Sequence, residues 1–248
     1  MKYKIMSHLV AYYPTRKASL EIAHALVDGG CSYLEVQFPF SDPTADGTYI
    51  QAACSKALKT GFKVAGGFAL VKEIKTFTHI PIFIMSYASL VYVRGISNFV
   101  ADAKEAGAIG LIVPDLPFDS DEGLYQEGRS QGIEIVPVVA PSIKEQRLKI
   151  IAQSGIQYLY AALRRGITGA FTRIGEQNLE FIKQTSTYGL KVLAGFGISS
   201  HEQVKKIANL VHAVIVGSAF IKQIQSSWDK REHYQAVLSK MQELVGDE

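Results

Sequence analysis

The stretch Leu34-Glu-Val-Gln-Phe-Pro-Phe-Ser-Asp-Pro-Thr-Ala-Asp-Gly47 joins an apolar run to a polar loop that contains proline and glycine. The run carries one carboxylate, Glu35, and the loop carries another, Asp46. A near-continuous apolar run without strict alternation is typical of a parallel strand that is covered on both faces. The stretch therefore predicts a buried parallel strand whose carboxyl end leads into a loop with functional side chains.

Similar apolar runs recur along the chain and alternate with segments of helical spacing. Eight runs predict strands, at residues 8–13, 33–38, 80–87, 110–113, 133–139, 157–163, 191–195 and 213–217. Strands that are each followed by helix predict an α/β fold, a single (β/α)8 TIM barrel of the phosphate-binding type, with residues 1–248 as one domain. A doubly wound sheet is the alternative, since strand number alone does not prove closure. The long connection 47–75 predicts more than one helix, with breaks at Gly61 and Gly66-Gly67.

Composition narrows the class of protein. A chain of 248 residues with 48% hydrophobic and 20% charged side chains can bury a full core. The net charge of +3 is spread along the predicted helices, which argues against a nucleic-acid partner. Cys31 and Cys54 lack metal-ligand spacing, and no apolar run reaches the length of a membrane span. We interpret the chain as a cytoplasmic protein with free thiols and without a metal, nucleic-acid or membrane partner.

Two glycine turns follow the last two predicted strands, where barrels of this fold usually hold phosphate. They contribute Gly197, Gly217 and Ser218, whose backbone N–H groups are expected to face an anion. The alternative is that these glycines only make tight turns. The basic, glycine-containing segment 164–173 is expected to form a lid over a phosphorylated substrate, and the alternative there is a solvated loop.

The two carboxylates are the leading catalytic candidates. A charge on the strand at Glu35 is costly unless it faces a site or finds donors, so we expect a proton-transfer group there. Asp46, in its loop, is expected to stay ionised as a hydrogen-bond acceptor. The alternatives are an ion-paired core glutamate and a turn-forming Asp-Gly. Asp115 is expected to hold either substrate or a neighbouring loop, and the alternative is a turn residue beside proline. His8, like the other five histidines, is interpreted as a packing or surface residue.

Several sequence blocks together resemble the tryptophan synthase alpha subunit family. They are Leu34-Glu35, Pro39-Phe-Ser-Asp-Pro43 with Ala45-Asp-Gly47, Gly166-Ile-Thr-Gly-Ala170, Gly195-Phe-Gly-Ile-Ser199 and Gly217-Ser218. The resemblance implies a barrel that cleaves the phosphate ester indole-3-glycerol phosphate to indole and glyceraldehyde 3-phosphate. It also implies an alpha-beta-beta-alpha heterotetramer, in which the beta subunit carries pyridoxal phosphate and receives the indole. This chain is expected to carry no cofactor.

The resemblance implies a role for each matching residue. Glu35 is implied to be the general acid/base, and Asp46 the carboxylate that accepts the indole N–H. Substrate contacts are implied for Tyr160, Thr168 and Phe196, phosphate contacts for Gly169, Gly197, Gly217 and Ser218, and contacts with the beta subunit for Pro39, Asp42 and Ser89.

The chain also departs from the pattern of the family around the two carboxylates. Gln37 occupies a position where glycine is usual. The other departures are Thr44, Thr48, Tyr49, Ser89 and the first-strand turn Tyr12-Tyr-Pro-Thr-Arg-Lys17. These departures motivate a second hypothesis, in which the alpha reaction is weakened and the chain acts mainly as a binding partner and allosteric activator of the beta subunit.

Overall fold

The computed structural model describes residues 2–163 and 174–246, so the predictions for Thr168 and Gly169 lie outside the described residues. Its strands are β1 (Ile5–Val10), β2 (Tyr33–Gln37), β3 (Ile82–Met85), β4 (Gly110–Ile112), β5 (Glu134–Val136), β6 (Val138–Val139), β7 (Tyr158–Ala162), β8 (Lys191–Gly195) and β9 (Ala213–Val216). Its helices are α1 (Arg16–Asp28), α2 (Thr48–Lys59), α3 (Val64–Ile74), α4 (Ala88–Arg94), α5 (Ile96–Glu105), α6 (Leu124–Gln131), α7 (Glu145–Gln153), α8 (Glu176–Ser186), α9 (His201–Ile207), α10 (Ser218–Ser227) and α11 (His233–Val245). None of the described helices has the length and apolar character that a membrane span requires.

The strands pair in parallel in the order β5-β4-β3-β2-β1-β9-β8-β7-β6. Both ends of this order come from one predicted strand, at residues 133–139. Pro137 divides that strand because it lacks an N–H for the ladder. Its amino-terminal part, β5, pairs with β4, and its carboxyl-terminal part, β6, pairs with β7. The sheet therefore curls into a nearly closed barrel, and the predicted (β/α)8 TIM-barrel fold is confirmed with one strand in two pieces.

The first strand begins and ends three residues earlier than the sequence predicted. β1 covers Ile5–Val10, not 8–13, because its residues pair with neighbours on both sides, as Met6 does with Tyr33 and with Ile215. Tyr12 has a φ of 65°, in the left-handed region, which ends the extended conformation. The shift matters for the site because it places His8 inside the strand.

The long connection after β2 holds two helices, as predicted. Gly61, with a φ of 89°, separates them. The predicted break at Gly66-Gly67 is wrong, because both glycines lie inside α3. A Cβ at Gly66 would meet the hydroxyl of Tyr12, and one at Gly67 would lie 2.7 Å from Cζ of Phe38. The glycines thus allow close packing of α3 rather than a turn.

Side chains on β2 alternate between the helical layer and the barrel interior. Leu34 and Val36 belong to the core between the sheet and its helices. Tyr33 belongs to a second cluster inside the barrel. Because successive strand residues point to opposite faces, Glu35 and Gln37 share the interior face with Tyr33. The strand period therefore directs a carboxylate and an amide into the barrel near its carboxyl end.

Candidate active site

Two adjoining cavities lie at the carboxyl end of the barrel. The larger, of about 470 Å³, is lined by Glu35, Asp46, Tyr160 and Phe196 together with apolar side chains. The smaller, of about 50 Å³, shares those four residues. It adds His8, Gly197, Gly217 and Ser218 to the lining. The structure thus brings together every predicted catalytic, substrate and phosphate residue that lies within the described chain.

Glu35 is held by a histidine that the sequence interpretation did not connect with it. His8 on β1 lies in register with Glu35 on β2, and its Nδ1 is 2.6 Å from the Oε2 of Glu35. Their exposed fractions are 4% and 3%. Burial lowers the pKa of His8, but the charge of Glu35 and the hydrogen bond to it outweigh burial, so the pKa of His8 is raised. His8 and Glu35 thus form a buried, hydrogen-bonded pair on the interior face of the barrel.

The earlier interpretation of His8 as a packing or surface residue is incomplete, because the side chain pairs with a candidate catalytic group. The pairing of His8 with Glu35 can be inferred from the sequence through strand register. Once the first strand is placed at residues 5–10, the parallel register sets His8 beside Glu35, on the same interior face. Placement of that strand three residues too late concealed the relationship.

Asp46 is buried, with an exposed fraction of 2%, although it lies in a loop. Its Oδ2 accepts hydrogen bonds from Nε2 of Gln37 at 2.6 Å and from the hydroxyl of Tyr87 at 2.9 Å. Burial raises the pKa of Asp46, although His8 and both donors act in the opposite direction. Desolvation at this position disfavours the charge, whereas His8, Gln37 and Tyr87 favour it, so the expected ionised state of Asp46 stays a prediction.

Side chains from neighbouring segments fix the loop around Asp46. The hydroxyl of Tyr87 also accepts from the backbone N–H of Ala45, at 3.1 Å. The side-chain amide of Gln51 donates to the backbone carbonyl of Asp46, at 2.7 Å. Burial and the charge of Asp46 raise the pKa of Tyr87, so its phenol stays protonated. Tyr87 is a part of the site that sequence reasoning missed, and no local motif marks it.

Gln37, the departure closest to the carboxylates, is fully buried and lies beside Asp46. Its Nε2 also lies 3.5 Å from Sγ of Cys54. It does not line either of the two cavities. The long side chain in place of the usual glycine therefore supports Asp46 and leaves the space beside Glu35 open.

The two predicted phosphate turns lie side by side at the same end of the barrel. Gly197 has a φ of 68°, a conformation that favours glycine. Gly217 immediately precedes α10, whose first residue is Ser218, and a Cβ at Gly217 would lie 3.4 Å from Cβ of His8. The start of a helix presents free backbone N–H groups, so this turn can receive an anion.

The residues predicted to face the beta subunit are unequal in exposure. Asp42 and Ser89 are exposed, whereas Pro39 is buried. The nearby ring of Phe40 is half-buried and stacks on Tyr87, with ring centroids 5.3 Å apart. Asp42 and Ser89 are therefore accessible to a partner surface, whereas the contact implied for Pro39 falls on a buried side chain.

Two other predictions concern the rest of the chain. Both oxygens of Asp115 lie within hydrogen-bond distance of the backbone N–H of Ala88, at 2.9 and 3.2 Å, so Asp115 holds the neighbouring loop. Cys31 and Cys54 are free and buried, and burial raises the pKa of each thiol to about 12. Within residues 2–163 and 174–246, no cluster of histidine, cysteine and acidic side chains could hold a metal ion.

A parallel barrel with buried carboxylates and two glycine turns at the carboxyl ends of its strands has the architecture of the (β/α)8 barrel enzymes. The sequence model of the tryptophan synthase alpha chain matches residues 2–247. The chain therefore belongs to the tryptophan synthase alpha chain family.

Relatives and solved structures agree with this assignment. The tryptophan synthase alpha chain of Helicobacter hepaticus is 38% identical, with 99% of this chain and 96% of that protein covered. The alpha chain of Methanothermobacter thermautotrophicus is also 38% identical, with coverages of 96% and 88%. In the tryptophan synthase complex from Pyrococcus furiosus, a chain of 32% identity matches with a TM-score of 0.89 and 100% coverage of both chains. A chain of the Mycobacterium tuberculosis enzyme matches with the same TM-score at 29% identity and coverages of 98% and 91%.

Proposed function

We propose that this chain is the alpha subunit of a tryptophan synthase and cleaves indole-3-glycerol phosphate to indole and glyceraldehyde 3-phosphate. Membership of the family supports the reaction. The observation that carries the proposal is the position of Glu35 and Asp46, two buried carboxylates that line one cavity of about 470 Å³. They lie in different surroundings, one beside a histidine and one beside an amide and a phenol, which suits two different roles.

Glu35 is proposed to move the protons of a retro-aldol cleavage. A proton added to C3 of the indole makes the ring a cationic indolenine. Loss of the proton from the adjacent glycerol hydroxyl then forms the aldehyde carbonyl, and the electrons of the broken C–C bond return to the ring. A single carboxyl group that gives one proton and accepts the other leaves the enzyme unchanged. The contact with His8 supports this role, because it fixes the carboxylate in the cavity.

Asp46 is proposed to accept the indole N–H and stabilise the positive ring. Oδ2 of Asp46 accepts from Gln37 and Tyr87. We assign the contact with the indole N–H to Oδ1. A cationic ring beside the buried carboxylate favours its ionised form, and this compensates for the desolvation that raises the pKa of Asp46. Apolar neighbours in the larger cavity, such as Ile112 and Phe196, suit a flat aromatic ring.

The phosphate of the substrate is proposed to bind at Gly197, Gly217 and Ser218. The amino terminus of α10 and the left-handed turn at Gly197 support this position. Contacts of Thr168 with Asp46 and of Gly169 with the phosphate rest on the resemblance alone.

The chain is proposed to work in an alpha-beta-beta-alpha complex and to pass indole to the beta subunit for synthesis of tryptophan. One of the similar solved structures concerns mutual activation in the a2b2 complex of Pyrococcus furiosus. The exposed Asp42 and Ser89 are the proposed contacts in this chain. Pyridoxal phosphate is assigned to the beta subunit.

The alternative of a weakened chain that mainly activates the beta subunit is not favoured. Gln37 donates to Asp46 and does not line the cavity. Thr44, Thr48 and Tyr49 are exposed, and none of them lines either cavity. These four departures thus leave the cavity beside Glu35 unobstructed.

An assay of indole release from indole-3-glycerol phosphate, with and without the beta subunit, tests the proposal. Wild-type protein should release indole, and Glu35→Gln should lower kcat by at least about a hundredfold, since a lost acid/base group has an effect of this order. Glu105→Gln is the control, because that carboxylate is exposed, in a surface ion pair. Wild-type activity that survives Glu35→Gln would reject the catalytic role. An inactive wild-type chain that still stimulates the beta subunit would favour the alternative.

A further inference from the structure

The second ring nitrogen of His8 is buried and has no hydrogen-bond partner. Nδ1 is engaged with Glu35, but Nε2 makes no hydrogen bond within the described part of the chain. The neighbouring side chain of Gln37 also raises the pKa of His8, and its Oε1 is likewise without a hydrogen-bond partner there. With an exposed fraction of 4%, the ring has little access to bulk water. Buried ring nitrogens normally find a partner, so an orphaned one at the wall of a cavity indicates a ligand atom that completes it.

The ring of His8 lies between Glu35 and the proposed phosphate turn. Measured from the Cβ that Gly217 would carry, Cγ of His8 is 3.5 Å away and Cδ2 is 3.7 Å away. Cδ2 is the ring carbon bonded to Nε2, so the side of the ring that carries Cδ2, and not the side that carries Nδ1, faces the turn at the start of α10. The same small cavity is lined by Gly197 and Ser218. A ligand that reaches from Glu35 to this turn passes the free nitrogen.

His8 is also a possible source of positive charge at the site. Of the described residues that line the two cavities, His8 is the one whose side chain can carry a positive charge. The other ionisable groups there are Glu35 and Asp46, which repel an anion, and Tyr160. Glycine turns offer backbone N–H dipoles but no full charge. A phosphate ester bound beside two carboxylates therefore gains from a neighbouring imidazolium.

We propose that His8 is a substrate-binding residue for the glycerol phosphate end of the substrate, with Nε2–H donated to one of its oxygens while Nδ1–H holds Glu35. The ligand class is a phosphate monoester of a short polyol. This inference rests on the proposed function and adds to it the group that links the proton-transfer carboxylate to the phosphate turn. The raised pKa of His8 supports it, because it favours the protonated ring, in which both nitrogens are N–H donors.

The competing explanation is that His8 only positions Glu35. Two substitutions separate the explanations. His8→Asn retains an amide that can replace Nδ1 as a donor to Glu35 but removes the Nε2 donor and the charge. His8→Phe removes both donors and keeps a flat ring that fills the space.

The experiment measures dissociation constants for glycerol 3-phosphate and, separately, for indole, with wild-type protein and both variants. In His8→Asn, binding of glycerol 3-phosphate should weaken by about tenfold, the usual scale for a lost hydrogen bond between charged groups. Binding of indole should stay within about twofold of wild type, since the indole is assigned to Asp46 and Phe196. His8→Phe should give the same selective loss, and circular dichroism should show that both variants fold.

A pH series adds a second readout. Groups that face the ring are Glu35 and Gln37 from β2, Asp46 from the following loop, Tyr160 from β7 and Ser218 from α10. Wild-type affinity for glycerol 3-phosphate should fall as the pH rises through the raised pKa of His8. His8→Asn should retain only the titration of the phosphate itself.

Three results would overturn the inference. Unchanged affinity for glycerol 3-phosphate in folded His8→Asn and His8→Phe would show that the nitrogen binds nothing. Equal losses for indole and glycerol 3-phosphate would assign His8 to packing or to positioning of Glu35. A wild-type chain that binds no phosphate ester would remove the proposed function itself, and the wild-type measurement alone identifies that case.

Discussion

Gln37 donates its side-chain amide to the carboxylate of Asp46, with 2.6 Å between Nε2 and Oδ2, and both side chains are buried. The family pattern usually has glycine at this position, so the contact is a feature of this chain. A donor to a buried carboxylate stabilises its charged form. Gln37 thus opposes the desolvation that raises the pKa of Asp46.

Replacement of Gln37 by leucine should therefore shift the pH dependence of the alpha reaction. Loss of the donor raises the pKa of Asp46 further, so a higher pH is needed to ionise it. The acidic limb of kcat/KM for indole-3-glycerol phosphate should move to higher pH, with a loss of about tenfold near neutral pH. Gln51→Leu is the matched control, because that amide contacts the backbone carbonyl of Asp46 and not its carboxylate. Superimposable profiles for wild type and Gln37→Leu would contradict the role of the amide.

Tyr87→Phe should weaken both the fold and the reaction. The phenol donates to Asp46 and accepts from the backbone N–H of Ala45, so its removal takes one hydrogen bond from a buried carboxylate and one from a partly buried N–H. We expect the free energy of unfolding to fall by about 1–3 kcal/mol. We also expect kcat/KM to fall several-fold. Urea unfolding and the indole assay check the two effects, with Tyr125→Phe as a control at a tyrosine that is only partly buried. A variant with unchanged stability would show that water replaces the hydroxyl.

The sequence predicts those features of the fold and site that depend on residues close together in the chain, and it misses those that depend on contacts between distant segments. The strand period placed Glu35 on a strand, and the glycine turns were found from local composition. The contact of Tyr87 with Asp46 joins segments far apart in the chain, so no local pattern reports it. The contact of His8 with Glu35 can be inferred only when the first strand is placed correctly and paired in register with the second. The burial of Asp46 was also missed. A loop that contains proline and glycine is expected to be exposed, and only its tertiary neighbours show that it is covered.

Asp46→Asn should make the protein more stable and less active. Burial raises the pKa of Asp46, so the folded state holds the proton more tightly than the unfolded state does. For such a group, the free energy of unfolding decreases as the pH rises from the unfolded pKa, near 3.8, through the folded pKa. Asparagine removes this loss. The Tm of Asp46→Asn should exceed that of wild type at pH 8 by more than at pH 4, while indole release falls by at least about a hundredfold.

The matched control for Asp46→Asn is Asp119→Asn, because the carboxylate of Asp119 is in an exposed ion pair with Arg147. That exchange should change Tm little at either pH. A gain in Tm for Asp46→Asn that is equal at pH 4 and pH 8 would argue against relief of a buried charge.

The two thiols should resist modification in the folded protein. Burial raises the pKa of Cys31 and of Cys54 to about 12, so little thiolate is present at pH 8. A thiol reagent at pH 8 should therefore react with both cysteines of the native chain at least about a hundred times more slowly than in denaturant, where an ordinary thiol pKa is restored. Cys54→Ala identifies which thiol reacts first. Rapid reaction of Cys54 in the native chain would show that the loop around Asp46 opens frequently.

Gly67→Ala tests the packing of α3 under the end of β2. Helix propensity alone would make alanine the more stable residue, by about 1 kcal/mol. A Cβ at Gly67 would lie 2.7 Å from the ring of Phe38, however, and that ring is fully buried. Overpacking of this kind costs about 1–3 kcal/mol, so the steric effect should exceed the propensity and the variant should be less stable in urea unfolding. Gly175→Ala is the control, because nothing lies within 4 Å of its added Cβ. A Gly67→Ala protein more stable than wild type would mean that the ring of Phe38 moves aside without penalty and that the glycine does not set the distance between α3 and β2.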